Sequence, residues 1–248
     1  MSINYQFFNM EGVTKQIAKS IRDAIVEGRL RVDDKLPTEE ELAVRFGVSR
    51  PTIRESLKRL AAQNLIRSRR GPAGGTFVKK PTQEESREQL KSMAAVLVSV
   101  GEFSLPDIVE TRHVLEQVCC RLAAERSSVD DLTEMEAELK VQRDPSITDV
   151  EFCASDVRFH CLMVDAAHNP MMRFVMAAVI EVLQPVLNLI VYKLRERPFI
   201  VERHQEIIDA IRERDTKRAV MELDRLMEYL RDKYAAAQEL RLQKDRAK

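Results

Sequence analysis

Apolar residues recur every three to four positions along most of this chain, and the breaks in that rhythm mark its elements. Gly28 closes a first amphipathic helix. After Leu36-Pro37, Thr38 stands as an N-cap with Glu41 at the reciprocal capping-box position, so a helix carrying Leu42 and Phe46 is expected from there to Gly47. Ser49 caps the next helix and Pro51 sits in its first turn, where a missing amide proton is tolerated. In that helix Ile53, Leu57 and Leu60 face inward, while Arg50, Arg54 and Lys58 form an outward basic row. Residues 65–68 and 75–78 then read as two short strands, joined by Arg69-Arg70-Gly71-Pro72-Ala73-Gly74. A capped helix, a tight turn, a helix with exposed arginines at its start and a basic hairpin is the geometry of a winged helix-turn-helix, which enters a DNA groove.

Beyond residue 81 only the helical period remains. It predicts helices near 83–100, 105–126, 129–143, 147–168, 170–195, 198–213 and 215–243, with Pro106, Pro145, Pro170 and Pro198 close to their starts and Pro185 kinking the fifth. All 7 glycines lie at or before Gly101, which fits a second part that is helical throughout. The expected fold is therefore mainly α: a winged helix-turn-helix over 1–80, a linker over 81–89, and an all-α antiparallel bundle of six or seven helices over 90–248.

Charge changes the picture once it is divided. The chain is neutral overall, with 40 basic and 40 acidic side chains. Residues 1–80 hold 16 basic against 9 acidic, and the remainder 24 against 31. A basic module joined to an acidic one suits a protein in which one part touches DNA and the other does not. The longest apolar run, Phe174 to Val191, is broken by Glu181, Gln184, Pro185 and Asn188 and reads as a buried helix, not a membrane span. No signal-peptide core opens the chain, and Cys119, Cys120, Cys153 and Cys161 lack metal-finger or redox spacing. Together these point to a cytoplasmic protein with reduced cysteines.

Polar residues on faces that should be apolar supply the candidate chemistry of the helical part. Arg112 falls on the stripe of Leu105, Ile108, Val109, Leu115, Cys119 and Leu122, where a guanidinium needs an anion, either Glu116 or a ligand. His204 lies among Ile200, Ile207, Ile208 and Ile211. Asp156 and His160 are one turn apart and can hold one divalent ion, to which a histidine from another helix adds a third ligand. Singly, a histidine on an apolar face is more often a satisfied core residue, and Asp156 with His160 a simple ion pair. Four such residues in one bundle point to a polar cavity at its centre.

The run Leu36-Pro37-Thr38-Glu39-Glu40-Glu41-Leu42-Ala43, then Gly47-Val48-Ser49-Arg50-Pro51-Thr52-Ile53-Arg54-Glu55-Ser56-Leu57, then the Thr76-Phe77-Val78 wing resembles the N-terminal signature of the GntR family of bacterial transcription regulators. Glu110-Thr111-Arg112 with Leu115-Glu116, Asp156-Val157-Arg158-Phe159-His160, Asn169-Pro170, and His204 with Ile207-Ile208 resemble the effector (FCD-type) domain of its FadR subgroup. The resemblance implies a homodimer on a palindromic operator, a repressor released when a small carboxylate enters the helical domain. It places Thr38, Ser49, Arg50, Pro51, Thr52, Arg54, Arg70 and Gly71 at DNA, and Arg112, Asp156, His160 and His204 around the effector. It also implies one divalent metal per chain (zinc, nickel or manganese) on Asp156, His160 and His204.

Two positions depart from that pattern. Glu40 stands where relatives commonly carry arginine, so a phosphate contact there is lost or reversed. Leu226 replaces an expected histidine ligand on the last helix, so either water or the effector's own carboxylate completes the shell, or the metal is absent and the pocket works by hydrogen bonds alone. The competing class is an enzyme or metal sensor, a helical metal-dependent hydrolase with a DNA-binding appendage, since Asp/His/His sites with open positions activate water. No partnered nucleophile or general base beside the three supports it.

Overall fold

A computed structural model describes residues 10–71, 74–185, 188 and 194–246. The chain divides into two compact units, Met1–Ser86 and Arg87–Lys248.

In the first unit, α1 (Met10–Val26), α2 (Glu39–Phe46) and α3 (Arg50–Ala62) precede the strands β1 (Ile66–Arg69) and β2 (Gly75–Val78). Each helix end has a chemical cause. Thr38 and Glu41 form a complete capping box at α2, and Gly47 ends it at φ 64°, a left-handed turn that glycine adopts without strain. Ser49 caps α3 with Pro51 in its first turn. The strands pair antiparallel with Ile66 opposite Val78 and Arg69 opposite Gly75, one residue later on the first strand than the sequence pattern suggested. Lys35 adds a bridge to Phe77, a third edge that periodicity did not reveal. Ile17, Ile21, Leu36, Leu42, Ile53, Leu57, Leu60, Ile66 and Val78 make one core. Hydrophobic burial of this kind holds α2 and α3 at a fixed angle, which positions the exposed face described below.

The second unit is helical throughout among its described residues: α4 (Gln83–Ser99), α5 (Leu105–Arg126), α6 (Val129–Arg143), α7 (Asp149–Asp165), α8 (Pro170–Ala177), α9 (Arg197–Arg212) and α10 (Thr216–Arg246). Residues 81–89, read from composition as a linker, contain the first turns of α4. Ser104, Ser128, Thr148 and Asn169 cap α5 to α8 through their side chains. The predicted fifth helix differs from expectation. It leaves α8 through a π-helical stretch, Ala178–Leu183, which ends two residues before Pro185, and most of 186–193 lies outside the described residues. Proline lacks the amide that an α-helical ladder needs, and a wider turn ahead of it is one way to redistribute the orphaned carbonyls.

In this unit α5 packs on α10 and α7, α10 on α9, and α6 on α7 and α9. Phe159, Met135, Leu139, Met163, Ile180, Ile200, Ile207, Leu223 and Leu226 fill the centre. All four cysteines are free, with Cys119 and Cys120 buried. Burial pushes the Cys119 thiol up to about 12, so it packs as an apolar group. No described helix is long and apolar enough to cross a membrane.

Candidate functional site

Two places gather the residues singled out from sequence. The first is the outer face of α2 and α3. Arg50 and Arg54 stand one helical turn apart at the start of α3, both exposed. Neither is free. Arg54 makes a two-pronged contact with Glu39, Nε to Oε1 at 3.1 Å and a terminal nitrogen to Oε2 at 2.7 Å. Arg50 pairs with Glu40. The third acid of that turn, Glu41, is engaged by the cap: its carboxylate accepts from the Thr38 amide at 2.8 Å, which with the Thr38 hydroxyl holds its pKa below the usual range. Thus Glu40, read as a residue that repels phosphate, contacts a recognition-helix arginine instead.

Ser49 and Pro51 lie at the same helix start. Thr52 departs from the expected set. It is only 4% exposed, its hydroxyl lying 2.8 Å from that of Ser49, so its side chain is held by the cap and not offered outward. At the end of β1 and just beyond it, Arg69, Arg70 and Gly71 are exposed at the hairpin, while Pro72 and Ala73 lie outside the described residues. Gly74 is required there by space: a Cβ at that position would come within 2.5 Å of the Arg69 carbonyl oxygen.

The second place is inside the helical unit. Asp156 and His160 on α7 and His204 on α9 are all buried, and one donor atom from each lies within 4.8 Å of the others. Asp156 Oδ1 stands 3.9 Å from His160 Nε2 and 3.7 Å from His204 Nε2, too far for a hydrogen bond in either case. On the far side each ring meets a polar side chain. His160 Nδ1 lies 2.6 Å from Glu116 Oε2, and His204 Nδ1 lies 2.7 Å from Gln142 Oε1. The Gln142 oxygen accepts, so the His204 proton belongs on Nδ1 and its Nε2 lone pair faces Asp156, whereas His160 Nδ1 lies beside Glu116 Oε2 without hydrogen-bond geometry. Phe159 stacks on His204 with ring centres 3.8 Å apart and holds it in plane.

The other carboxylate oxygen of Asp156 is heavily supported. It accepts from Gln184 at 2.8 Å and Asn188 at 3.3 Å, and the Arg195 guanidinium lies 3.0 Å away. Burial works to raise the Asp156 pKa, but Arg195 and the neighbouring histidines and Arg112 outweigh it, and the group is held well below the carboxylate range. Burial drives His204 down to about 3, so it is neutral. Arg112, 1% exposed, donates from Nε to Glu116 at 2.6 Å. Burial opposes the charge on Glu116, yet Arg112 and His160 bring its pKa down to about 2. Both terminal nitrogens of Arg112 have no hydrogen-bond partner, nor have either His160 ring nitrogen, Glu116 Oε2, His204 Nε2, Arg195 Nε and the Tyr234 hydroxyl. Buried polar atoms are nearly always paired, so this set is a candidate place for a ligand.

The four effector candidates thus meet in one place, whereas Leu226 is a core side chain with no exposed surface. Sequence reasoning missed Gln142, Gln184, Asn188, Arg195 and Tyr234. Gln184 and Asn188, four apart in an apolar run, carried a signal: two amides on one buried helix face need a partner, and Asp156 is it.

Residues 13–78 match the model of the bacterial regulatory proteins of the gntR family, and residues 107–229 match the FCD domain. Over 210 residues the chain is 31% identical to the putative L-lactate dehydrogenase operon regulatory protein of Escherichia coli, covering 80% of this chain and 77% of that one. It is 28% identical to the galactonate operon transcriptional repressor of the same organism, covering 82% and 88%. The solved Streptococcus agalactiae GntR superposes with a TM-score of 0.53 at 24% identity, over 91% of this chain and 99% of that one, a likeness of fold. The chain belongs to the GntR family, with an FCD domain after its winged helix. It is a DNA-binding transcription regulator and not an enzyme, as the family and the names of its relatives show.

Proposed function

We propose that the protein is a cytoplasmic, homodimeric repressor whose hold on a palindromic operator is released by a small carboxylate bound in the helical unit, residues 90–248, with residues 1–80 as the DNA-binding domain. The observation that carries the effector reading is the set of unpartnered donors around Arg112. A carboxylate completes the two terminal nitrogens of that guanidinium as a matched fork. Asp156, His160 and His204 suit a divalent cation: two ring nitrogens and one carboxylate oxygen converge, with Gln142 holding the His204 ring and Glu116 beside that of His160. Three protein donors leave positions open, and a bound cation there supplies a Lewis-acidic point for a carboxylate or neighbouring hydroxyl to chelate. Two relatives are named for the L-lactate dehydrogenase and galactonate operons, and both names refer to hydroxy acids, so that class comes first among the compounds to try.

At DNA, Arg50 and Arg54 carry base recognition, with Ser49 and Pro51 setting the helix start and Arg70 and Gly71 reaching the backbone beside it. Effector binding acts by population shift, favouring an arrangement of the dimer in which the recognition helices miss half-sites about one DNA turn apart. Elemental analysis of protein purified without chelator tests the cation site: about one zinc, nickel or manganese per chain, lost in His160→Ala, supports it. Thermal shift with lactate, galactonate and related acids then tests the carboxylate. Absence of metal together with no shift from any acid overturns the reading of this site.

A further inference from the structure

The ion pairs on the outer face of α2 and α3 carry an inference that rests on the DNA-binding reading above. Three acids open α2, and each is engaged differently: Glu41 by the cap, Glu39 by Arg54, Glu40 by Arg50. The Glu40–Arg50 pair is well exposed, with side chains 66% and 57% accessible. Exposed pairs contribute little to stability, and α2 and α3 are already joined through Leu42, Ala43, Ile53 and Leu57. Holding the fold together therefore does not explain the pair.

Its consequence for DNA is larger. Glu40 cancels the charge of Arg50, and Glu39 that of Arg54, so the start of the recognition helix presents almost no net charge to phosphate. Exposed Arg69 and Arg70 at the hairpin retain theirs. Backbone attraction is thereby assigned to the wing, and the helix is left with side chains whose value lies in base edges. A guanidinium beside a carboxylate offers donors next to an acceptor. In the major groove guanine shows two acceptors, O6 and N7, and its partner cytosine shows the N4 amino donor. Thymine would instead turn its O4 acceptor toward the carboxylate, and no hydrogen bond would form.

We infer that Glu40 is a specificity-determining residue, accepting from cytosine N4 of a G·C pair whose guanine is read by Arg50. Glu39 is a positioning residue that aims the guanidinium of Arg54.

Selection from random duplexes tests this and yields the operator sequence at the same time. Full-length wild type, Glu40→Ala and Glu40→Gln are each taken through rounds of selection from duplexes with a randomised core, and the bound pools are sequenced. The wild-type pool converges on half-sites with one C·G position that the Glu40→Ala pool has lost, preference there falling by about tenfold, with the other positions unchanged. Glu40→Gln, whose amide oxygen still accepts, retains part of it. The Glu40→Ala protein also binds unselected duplex more tightly, with a steeper fall of affinity against salt, because Arg50 is released to phosphate. Circular dichroism confirms that both variants fold. An identical consensus and identical preferences in the Glu40→Ala pool would overturn the inference while leaving the recognition helix in place. A wild-type pool with no enriched sequence would overturn the DNA-binding reading of α3 and this inference with it.

Discussion

Both units set arginines against carboxylates, and the two settings do opposite things. On α2 and α3 the pairs are open to water, Arg54 meeting Glu39 with two nitrogens and Arg50 meeting Glu40 with one. In the helical unit Arg112 is buried, meets Glu116 through one nitrogen, and has two more with no partner. An exposed pair exchanges its partner cheaply, because water compensates each half while it is apart. A buried pair cannot, so its unmet donors persist as a demand that a ligand satisfies. The first arrangement suits a surface that swaps a carboxylate for a base, the second a buried cluster whose donors an anion would complete.

The comparison breaks most visibly if one buried partner is removed. Glu116→Ala leaves Arg112 charged and unmatched and frees the His160 ring, and is expected to destabilise the protein by about 3–5 kcal/mol. Urea unfolding followed by far-ultraviolet circular dichroism measures it, while Glu39→Ala on the exposed face should change the same midpoint by about 0–1 kcal/mol. Equal effects at the two sites would remove the distinction.

Acid sharpens the same contrast. The neutral ring of His204 has its pKa lowered to about 3 by burial, against 6.5 when unfolded. A depressed pKa means stability that is present above pH 6.5 and lost as the pH falls toward 3, since the unfolded chain takes up the proton first. Between pH 7 and pH 5 this amounts to about 2 kcal/mol. Glu116, depressed to about 2 from 4.5, adds its loss only below that range. His204→Asn should flatten the decline between pH 7 and 5, measured by urea midpoints. An unchanged slope would mean that His204 is solvated or metal-bound in solution.

At the DNA face, Arg50→Ala or Arg54→Ala is expected to weaken binding to the selected duplex by about 1–3 kcal/mol each without altering the unfolding midpoint. Unchanged affinity in both would remove α3 from the interface.

How much of this was legible depended on whether a residue's partner is local. Caps at Thr38 and Ser49 could be read because donor and acceptor are three residues apart in sequence. Arg112, Asp156, His160 and His204 stood out because a polar side chain on an apolar stripe violates a local period. Gln142, Arg195 and Tyr234 did not, since their positions break no pattern and their partners are 62 residues away for Gln142 and 39 for Arg195, by their numbers. Thr52 shows the reverse case. The resemblance gave it a contact role, but the local turn folds it under the Ser49 cap. The π-helical stretch before Pro185 was also beyond reach, because proline announces a broken ladder without saying how the break is absorbed.

The smallest effect tests whether a cap can also serve as a contact. Thr38 stands in the DNA-facing set, yet its hydroxyl lies 3.2 Å from the Glu41 amide as acceptor and 3.0 Å from the Glu41 carboxylate as donor. Both of its hydrogen-bonding capacities are used within the turn, which leaves only a second lone pair for anything else. Thr38→Ala should therefore cost about 1 kcal/mol of stability in the N-terminal unit, and Thr38→Ser almost none. If the role is the cap alone, affinity for the selected duplex at a temperature well below unfolding stays at the wild-type value in both variants. A loss of affinity in Thr38→Ala that Thr38→Ser restores, at unchanged salt slope, would instead put the hydroxyl at the DNA. The paired face of α2 would then take part in binding through its cap as well as its acids.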